Sequence, residues 1–494
     1  MSTKALQEVF SGPDSACAQI RRVSAPSLTA PLLMSGAALV SLGGYSAGEG
    51  VFYGEAPGFV FFQFGLAILL MILPPAVRLL RCRDSFEPIY LFVGLYAIYY
   101  LVKMLDIHFN GTFRAEVNTG RTMMSRTLFL ANMGILAFYA GYAMTLGGPC
   151  GTSPKGANDL KSRRRGTDIL IIAALLAMAG LLGGAFIFVR KVTGAHDIGA
   201  RGLWMRGMGA AMLATFCYPT SLVMWYCYGV RSGLSKRQHA FRTVVALLLL
   251  LPYLSLGSRG DFFIFFTAVV LLYHYSVKRI SISYMLVIAV LFFAFSAVFV
   301  HVRGRHSNPD VTRSFISMRS ARDFFHDSMR SFAGTEGFMM VLDSQFAKSH
   351  GIDYLHAGAI YVPSFIWPDK PRLGMGIRFT RHFYPGVYET GTTYGPSLLG
   401  AFYMDFGYWG ISVGMFVIGW TLRRFYTWFM NHPERPDVRL IYAILMPAIC
   451  LKAVSQSGSD MLGFLPALLL PIGAGIVGLV FLRSTVRIHS HAAH

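Results

Sequence analysis

Acidic residues are scarce in this 494-residue chain, with 24 Asp and Glu against 44 Lys and Arg, and charged residues of both signs reach only 14%. A soluble chain carries nearer a quarter charged residues, so an ordinary soluble protein is excluded. Cysteine is scarce too. Cys17, Cys82 and Cys150 fall in expected cytosolic segments, and Cys217, Cys227 and Cys450 fall in apolar runs. With none in an outer loop, a disulfide framework is not expected. A phosphate loop, paired nucleotide-binding halves, a Gly-x-Ser-x-Gly elbow and an outer Asp-x-Asp dyad are all missing. Those absences remove ATP-driven pumping, serine hydrolysis and metal-dependent transfer from sugar nucleotides.

What the chain has in abundance is apolar sequence, 54% of all residues. Runs near the length that crosses a ~30 Å hydrocarbon core recur along it. Twelve are predicted, at 28–47, 60–79, 88–105, 127–147, 169–189, 208–230, 244–257, 262–275, 282–302, 408–422, 440–451 and 462–482. The expected fold class is an all-α polytopic membrane protein. A tail at 1–27 leads into a bundle over 28–302, a large outer loop over 303–395, a second bundle over 396–483 and a tail at 484–494. A cleaved export signal is not expected, because Arg22 precedes a run long enough to be a first span.

Basic residues set the orientation. With the N-terminus in the cytosol, 23 Lys and Arg fall in inner segments, 10 in short outer loops or outer span ends, and 11 in the long loop. Both termini are therefore expected inside. The formal net charge of +20 then reflects topology and anionic headgroups rather than nucleic acid.

The outer basic residues need a separate reading. The loop over 303–395 holds nine Arg, two Lys and five His against eight Asp and Glu. Its first part, 313–332, has helical spacing: Phe315, Met318, Phe325, Met329 and Phe332 share a stripe beside Arg319, His326 and Arg330. Such a helix either lies in the interface or packs on the bundle. Glu336 follows between Gly334 and Gly337, as a functional buried carboxylate or as a capping or ion-paired one. Three prolines between Pro363 and Pro371 impose an extended path, on which Trp367 offers a flat face for a sugar ring or an interfacial anchor. Lys370, Arg372, Arg378, Arg381 and His382 then cluster against Asp369, the strongest candidate anion site in the chain. Arg259 sits in a second outer turn, Gly257-Ser258-Arg259-Gly260-Asp261, where it binds an anion or pairs with Asp261. His350, Asp353 and His356 have weak metal-like spacing, and no metal or cofactor is expected.

Several of these segments fall in a familiar order. Gly257-Ser258-Arg259-Gly260 is followed by the long loop, then Pro363-x-x-x-Trp367-Pro368-x-Lys370-Pro371. Gly395-Pro396-Ser397-Leu398-Leu399-Gly400 and Tyr403-Met404-Asp405-Phe406-Gly407-x-x-Gly410 complete the series. Over about residues 240–425 the chain resembles the Wzy-type oligosaccharide repeat-unit polymerases of O-antigen, capsule and exopolysaccharide assembly.

That resemblance implies a GT-C-like bundle in the bacterial inner membrane, with a periplasmic site acting on undecaprenyl-pyrophosphate-linked oligosaccharide. It implies a metal-independent glycosyltransferase working beside a flippase and a chain-length regulator, or polysaccharide co-polymerase. Arg259, Lys370, Arg372, Arg378 and Arg381 would hold the pyrophosphate, and Trp367 and Tyr403 the glycan. Glu336, His382 and Asp405 are the candidate bases. Relatives are expected to carry Gly-Glu where this chain has Gly400-Ala401, so Asp405, one turn on, would serve the same face. An O-antigen ligase and a flippase or transporter are the rival readings. Lys103, Asp106, Lys452 and Asp460, all near span ends, are the main charges a transport path would have.

Overall fold

The computed structural model describes residues 57–82, 84–112, 117–144, 216–229, 235–251, 259–281, 332–344, 348–356, 374–389 and 394–455, with scattered positions between and after them. Among these, every regular element is helical. Helix α1 spans Pro57–Cys82, α2 Pro88–Asn110 and α3 Arg121–Ala143. Then come α4 (Tyr218–Gly229), α5 (Lys236–Leu250) and α6 (Arg259–Ser276). The polar segment contributes α7 (Gly334–Asp343), α8 (Ile352–His356), α9 (Met375–Phe383) and α10 (Pro385–Glu389). Helices α11 (Ser397–Asn431) and α12 (Pro436–Ser455) close the described bundle.

Among the described residues, four helices are long and apolar enough to cross a membrane: Val60–Leu79, Pro88–Asn110, Ser397–Asn431 and Pro436–Ser455. Three exceed their expected lengths, because the apolar runs at 88–105, 408–422 and 440–451 continue into flanking helix. The expected spans at 28–47, 169–189 and 282–302 lie wholly or mostly outside the described residues. Trp409, Val413, Val417 and Trp420 of α11 are all exposed. Their spacing keeps them on one face, an apolar stripe that suits lipid rather than water.

Between apolar helices in lipid, close packing replaces the hydrophobic effect as the source of association. The crossing of α3 with α11 shows how. A Cβ on Gly141 would collide with the Phe416 carbonyl, and one on Gly419 with the Phe138 carbonyl. Each helix thus offers a glycine to the other's backbone. Stacked Phe92 and Phe138, with ring centroids 4.2 Å apart, bring α2 against the same crossing.

Charges are segregated to the two ends of this bundle. At one end, Glu87 accepts from Arg78 at 3.0 Å, from Arg423 at 2.9 Å and from the Tyr142 hydroxyl at 2.8 Å. Beside it, Asp84 accepts from Tyr426 at 2.6 Å and Tyr275 at 3.0 Å. His274 accepts the Ile280 N–H at Nδ1 and presents Nε2 to Asp84 at 3.3 Å. Burial alone would push the Asp84 carboxyl up, but the bonds from His274, Tyr426 and the Phe86 N–H outweigh it and hold it below its ordinary 3.8. At about 1.5 Å per residue, α2 places Lys103 about 24 Å from this cluster, at the other end.

Two predictions follow from this packing. Gly419→Val overpacks the crossing and is expected to cost about 3 kcal/mol or more, read as a lowered thermal midpoint in detergent; Gly473→Val, where nothing lies within 4 Å, is the control. For Asp84 the depressed pKa means its contribution is fully present above about 3.8 and is lost as pH falls through the folded value. The gap in thermal midpoint between wild type and Asp84→Asn should hold from pH 7 to about 5 and close below about 4.

Candidate functional site

At the Lys103 end, α2 widens. Residues Ile98–Val102 form one π-helical turn, with the Lys103 N–H reaching back to the Ile98 carbonyl. Such turns leave a carbonyl open to other donors; here Thr335 donates from its hydroxyl to the Tyr99 carbonyl. The next turn puts Lys103 against α7. Its Nζ lies 2.9 Å from Glu336 Oε1 and 3.0 Å from Asp106 Oδ2. Asp106 in turn receives Asn110 Nδ2 at 2.8 Å and faces His326 Nδ1 at 2.8 Å. The Lys103, Asp106 and Glu336 side chains are all fully buried, so the Glu between two small residues is an ion-paired carboxylate. His326 and the buried Met329 show that the described part of the 313–332 stripe packs on the bundle.

Helix α11 starts beside this cluster. Tyr100 donates to Ser397 Oγ at 2.9 Å and accepts the Leu399 N–H at 3.1 Å. Ten residues later the helix breaks. Gly407 adopts φ 65 and ψ −146, a conformation open to glycine and closed to nearly every other residue. A break strands carbonyls that would have accepted from the next turn, and buried carbonyls need donors. The Ser349 and His350 N–H groups supply them, at 3.1 Å to Met404 O and 3.1 Å to Asp405 O. Ser349 also donates its hydroxyl to Asp405 Oδ1. The stretch 348–350 is therefore docked into the break, with Asp405 held between them.

Helix α9 brings the cations to the same place. Its Arg378 donates from Nη1 to Asp353 Oδ2 at 2.8 Å, and its guanidinium sits 5.6 Å from the Phe346 ring centroid. His382, on the next turn, meets that ring edge-on at 4.9 Å. Asp353 and Arg378 both act electrostatically on Asp405. Arg381 and His382 are exposed, and Arg378 is one-quarter exposed.

The structure thus assembles three of the sequence candidates, Asp405, Arg378 and His382, around the segment 346–353, with Arg381 on the same helix. Glu336 falls in a separate cluster. Tyr403 lies on α11, its hydroxyl 3.4 Å from Arg126, which donates more closely to Tyr408 at 2.6 Å. Trp367 is exposed. Lys370, Arg372 and the Arg259 side chain lie outside the described residues; Arg259 itself begins α6. Sequence reasoning missed Ser349, Lys103 as the partner of Glu336, and Asp353 as the partner of Arg378. It weighed Asp353 only as a metal ligand, and among the described residues no group of three His, Cys, Asp or Glu is placed to hold a metal ion. Ala401 and Asp405 are both buried on one helical stretch, as their spacing predicts.

The ion pair has a measurable consequence. Lys103→Met removes the ammonium that two buried carboxylates share, and is expected to cost about 3–5 kcal/mol. Adding Glu336→Gln should recover part of that loss in thermal unfolding. A double variant no more stable than Lys103→Met would contradict the pairing.

Among known proteins, no curated sequence and no solved structure matches the chain. The family model described as O-antigen polysaccharide polymerase Wzy matches residues 210–452. That stretch runs from just before α4 nearly to the end of α12 and contains Asp353, Arg378, His382 and Asp405. This match and the apolar helices support a Wzy-type O-antigen polysaccharide polymerase family for the chain, and a multi-pass protein of the bacterial inner membrane.

Proposed function

We propose that the chain joins undecaprenyl-pyrophosphate-linked oligosaccharide repeat units into a polysaccharide at the periplasmic face, at the break in α11. The observation that supports this most is the meeting of Asp405, Arg378 and His382 around residues 346–353. A carboxylate and a partly exposed guanidinium are the two groups that glycosyl transfer from a pyrophosphate requires. The distribution of Lys and Arg among the loops supports an orientation with the Glu87 cluster toward the cytosol and the α11 break toward the periplasm.

In this reading the acceptor hydroxyl oxygen attacks the anomeric carbon of the growing chain. The bond from that carbon to the pyrophosphate oxygen breaks, and the hydroxyl proton passes to Asp405. Charge gathers on the leaving pyrophosphate, where Arg378 stabilises it, with Arg259, Lys370, Arg372 and Arg381 as further cations. His382 is the alternative proton acceptor. Glu336 is assigned to holding Lys103, since its carboxylate oxygen already faces an ammonium at 2.9 Å. A flippase would deliver the repeat units, and a chain-length regulator would set when the product leaves.

Deletion of the gene should leave single repeat units on the lipid carrier, seen by mass spectrometry of lipid-linked glycans. A normal ladder of polymer lengths would refute the proposal. Complementation with Arg378→Ala should lower polymerisation about 100-fold or more, and Arg378→Lys should recover little of it. Asp405→Asn should abolish the ladder while the protein still inserts.

A further inference from the structure

Asp353 holds more chemistry than an ion pair uses. It is only 1% exposed, on the short helix α8 beside the residues docked into the α11 break. Its Oδ2 takes Arg378, while its Oδ1 is buried without a hydrogen-bond partner. Asp405 shows the same division. Its Oδ1 takes Ser349, with Tyr354 also acting on the carboxyl, and its Oδ2 is buried without a partner. Two buried carboxylates in electrostatic contact therefore each keep one acceptor open.

An open, buried carboxylate oxygen is costly unless a donor fills it. The surroundings limit what the donor is. Arg378 beside both carboxylates disfavours a metal cation. The carboxylates themselves disfavour a bare anion sitting against them. A molecule with hydroxyl donors next to an anionic group satisfies both: the anion meets the guanidinium edge left free by Asp353, and the hydroxyls meet the carboxylates. That is a sugar phosphate.

We propose that Asp353 is a sugar-binding residue, whose Oδ1 accepts a hydroxyl of the sugar attached to the phosphate held by Arg378. Through Oδ2 it also orients Arg378, so one carboxylate sets the spacing between sugar and phosphate. The proposal rests on the reading of Arg378 as a pyrophosphate ligand, and the two are separable by experiment.

Full-length protein in nanodiscs would be titrated with inorganic pyrophosphate and with three sugar phosphates: glucose, galactose and N-acetylglucosamine 1-phosphate. Arg378→Ala is expected to weaken pyrophosphate and sugar phosphate alike. Asp353→Asn should leave pyrophosphate within about threefold, because removal of a nearby negative charge offsets a less well-held Arg378. The same variant should weaken at least one sugar 1-phosphate about tenfold or more, the loss of one charge-assisted hydrogen bond. Asp353→Glu keeps the charge but displaces the oxygens, and should show the same selective loss; it serves as the second variant if Asp353→Asn does not insert.

Equal weakening of both ligand types by Asp353→Asn would reduce Asp353 to a positioning residue and overturn the sugar assignment. So would unchanged binding of both, or wild-type protein that takes up none of the three sugar phosphates. If Arg378→Ala leaves pyrophosphate binding intact while Asp353→Asn still loses a sugar phosphate selectively, the Arg378 reading fails and the sugar site stands.

Discussion

A backbone that crosses an apolar slab must satisfy every N–H and C=O from within the protein. Helix α11 meets that constraint and then violates it at one residue. Its 35 residues would run about 52 Å if straight, well beyond the ~30 Å of a hydrocarbon core. The break at Gly407 divides it into a first segment against α2 and α7 and a longer second segment with the exposed apolar stripe. The freed carbonyls of Met404 and Asp405 then need donors, and 348–350 provides them. Everything brought to the site depends on that exchange. It fixes Ser349 against Asp405, and within a few residues it fixes Asp353, which in turn holds Arg378.

The buried ions follow a related rule. A charge removed from water is tolerated when its partner and its remaining hydrogen bonds travel with it. At the Glu87 end two arginines and a tyrosine converge on one carboxylate, and Arg423 is further flanked by the Tyr142 and Tyr426 rings at 5.6 and 5.5 Å. At the opposite end Lys103 binds two carboxylates, and Lys452 pairs with Asp261 at 2.9 Å. Between them the described interior of α2 and α3 is apolar, aromatic or amide. Of the four charges a transport path would have, Lys103, Asp106 and Lys452 are committed to ion pairs, and Asp460 lies outside the described residues.

How much of this was legible in the sequence depends on whether the controlling property is local. Apolar runs are local, so α1, α2, α6 and α12 appear close to where hydropathy puts them. The helical face shared by Ala401 and Asp405 is local too. The early start of α11 was not legible, because Ser397-Leu398-Leu399-Gly400 and the aromatic–glycine stretch after it lack the unbroken apolar character of a span. The site itself is mostly non-local. Arg378, Arg381 and His382 stand out as a charge cluster, yet nothing near Arg378 in sequence names Asp353 as its partner. The link from Ser349 to Asp405 crosses 56 positions, and that from Lys103 to Glu336 crosses more than two hundred. Only tertiary packing relates such residues.

Partnership also separates two carboxylates that composition leaves equivalent. Glu336 and Asp405 are both fully buried, and each has a glycine within two residues in the chain. Glu336 faces an ammonium directly, on an unbroken helix whose Thr335 is itself tied to the π turn of α2. A proton accepted there would cancel the charge that Lys103 meets and loosen the contact between α2 and α7. Asp405 faces a hydroxyl, and the guanidinium nearest to it is bonded to Asp353 instead. A proton gained or lost at Asp405 leaves that Arg378 pair in place. A general base has to change charge in every turnover without dismantling its surroundings, and by that criterion the proposed proton transfer fits the broken helix better than the continuous one.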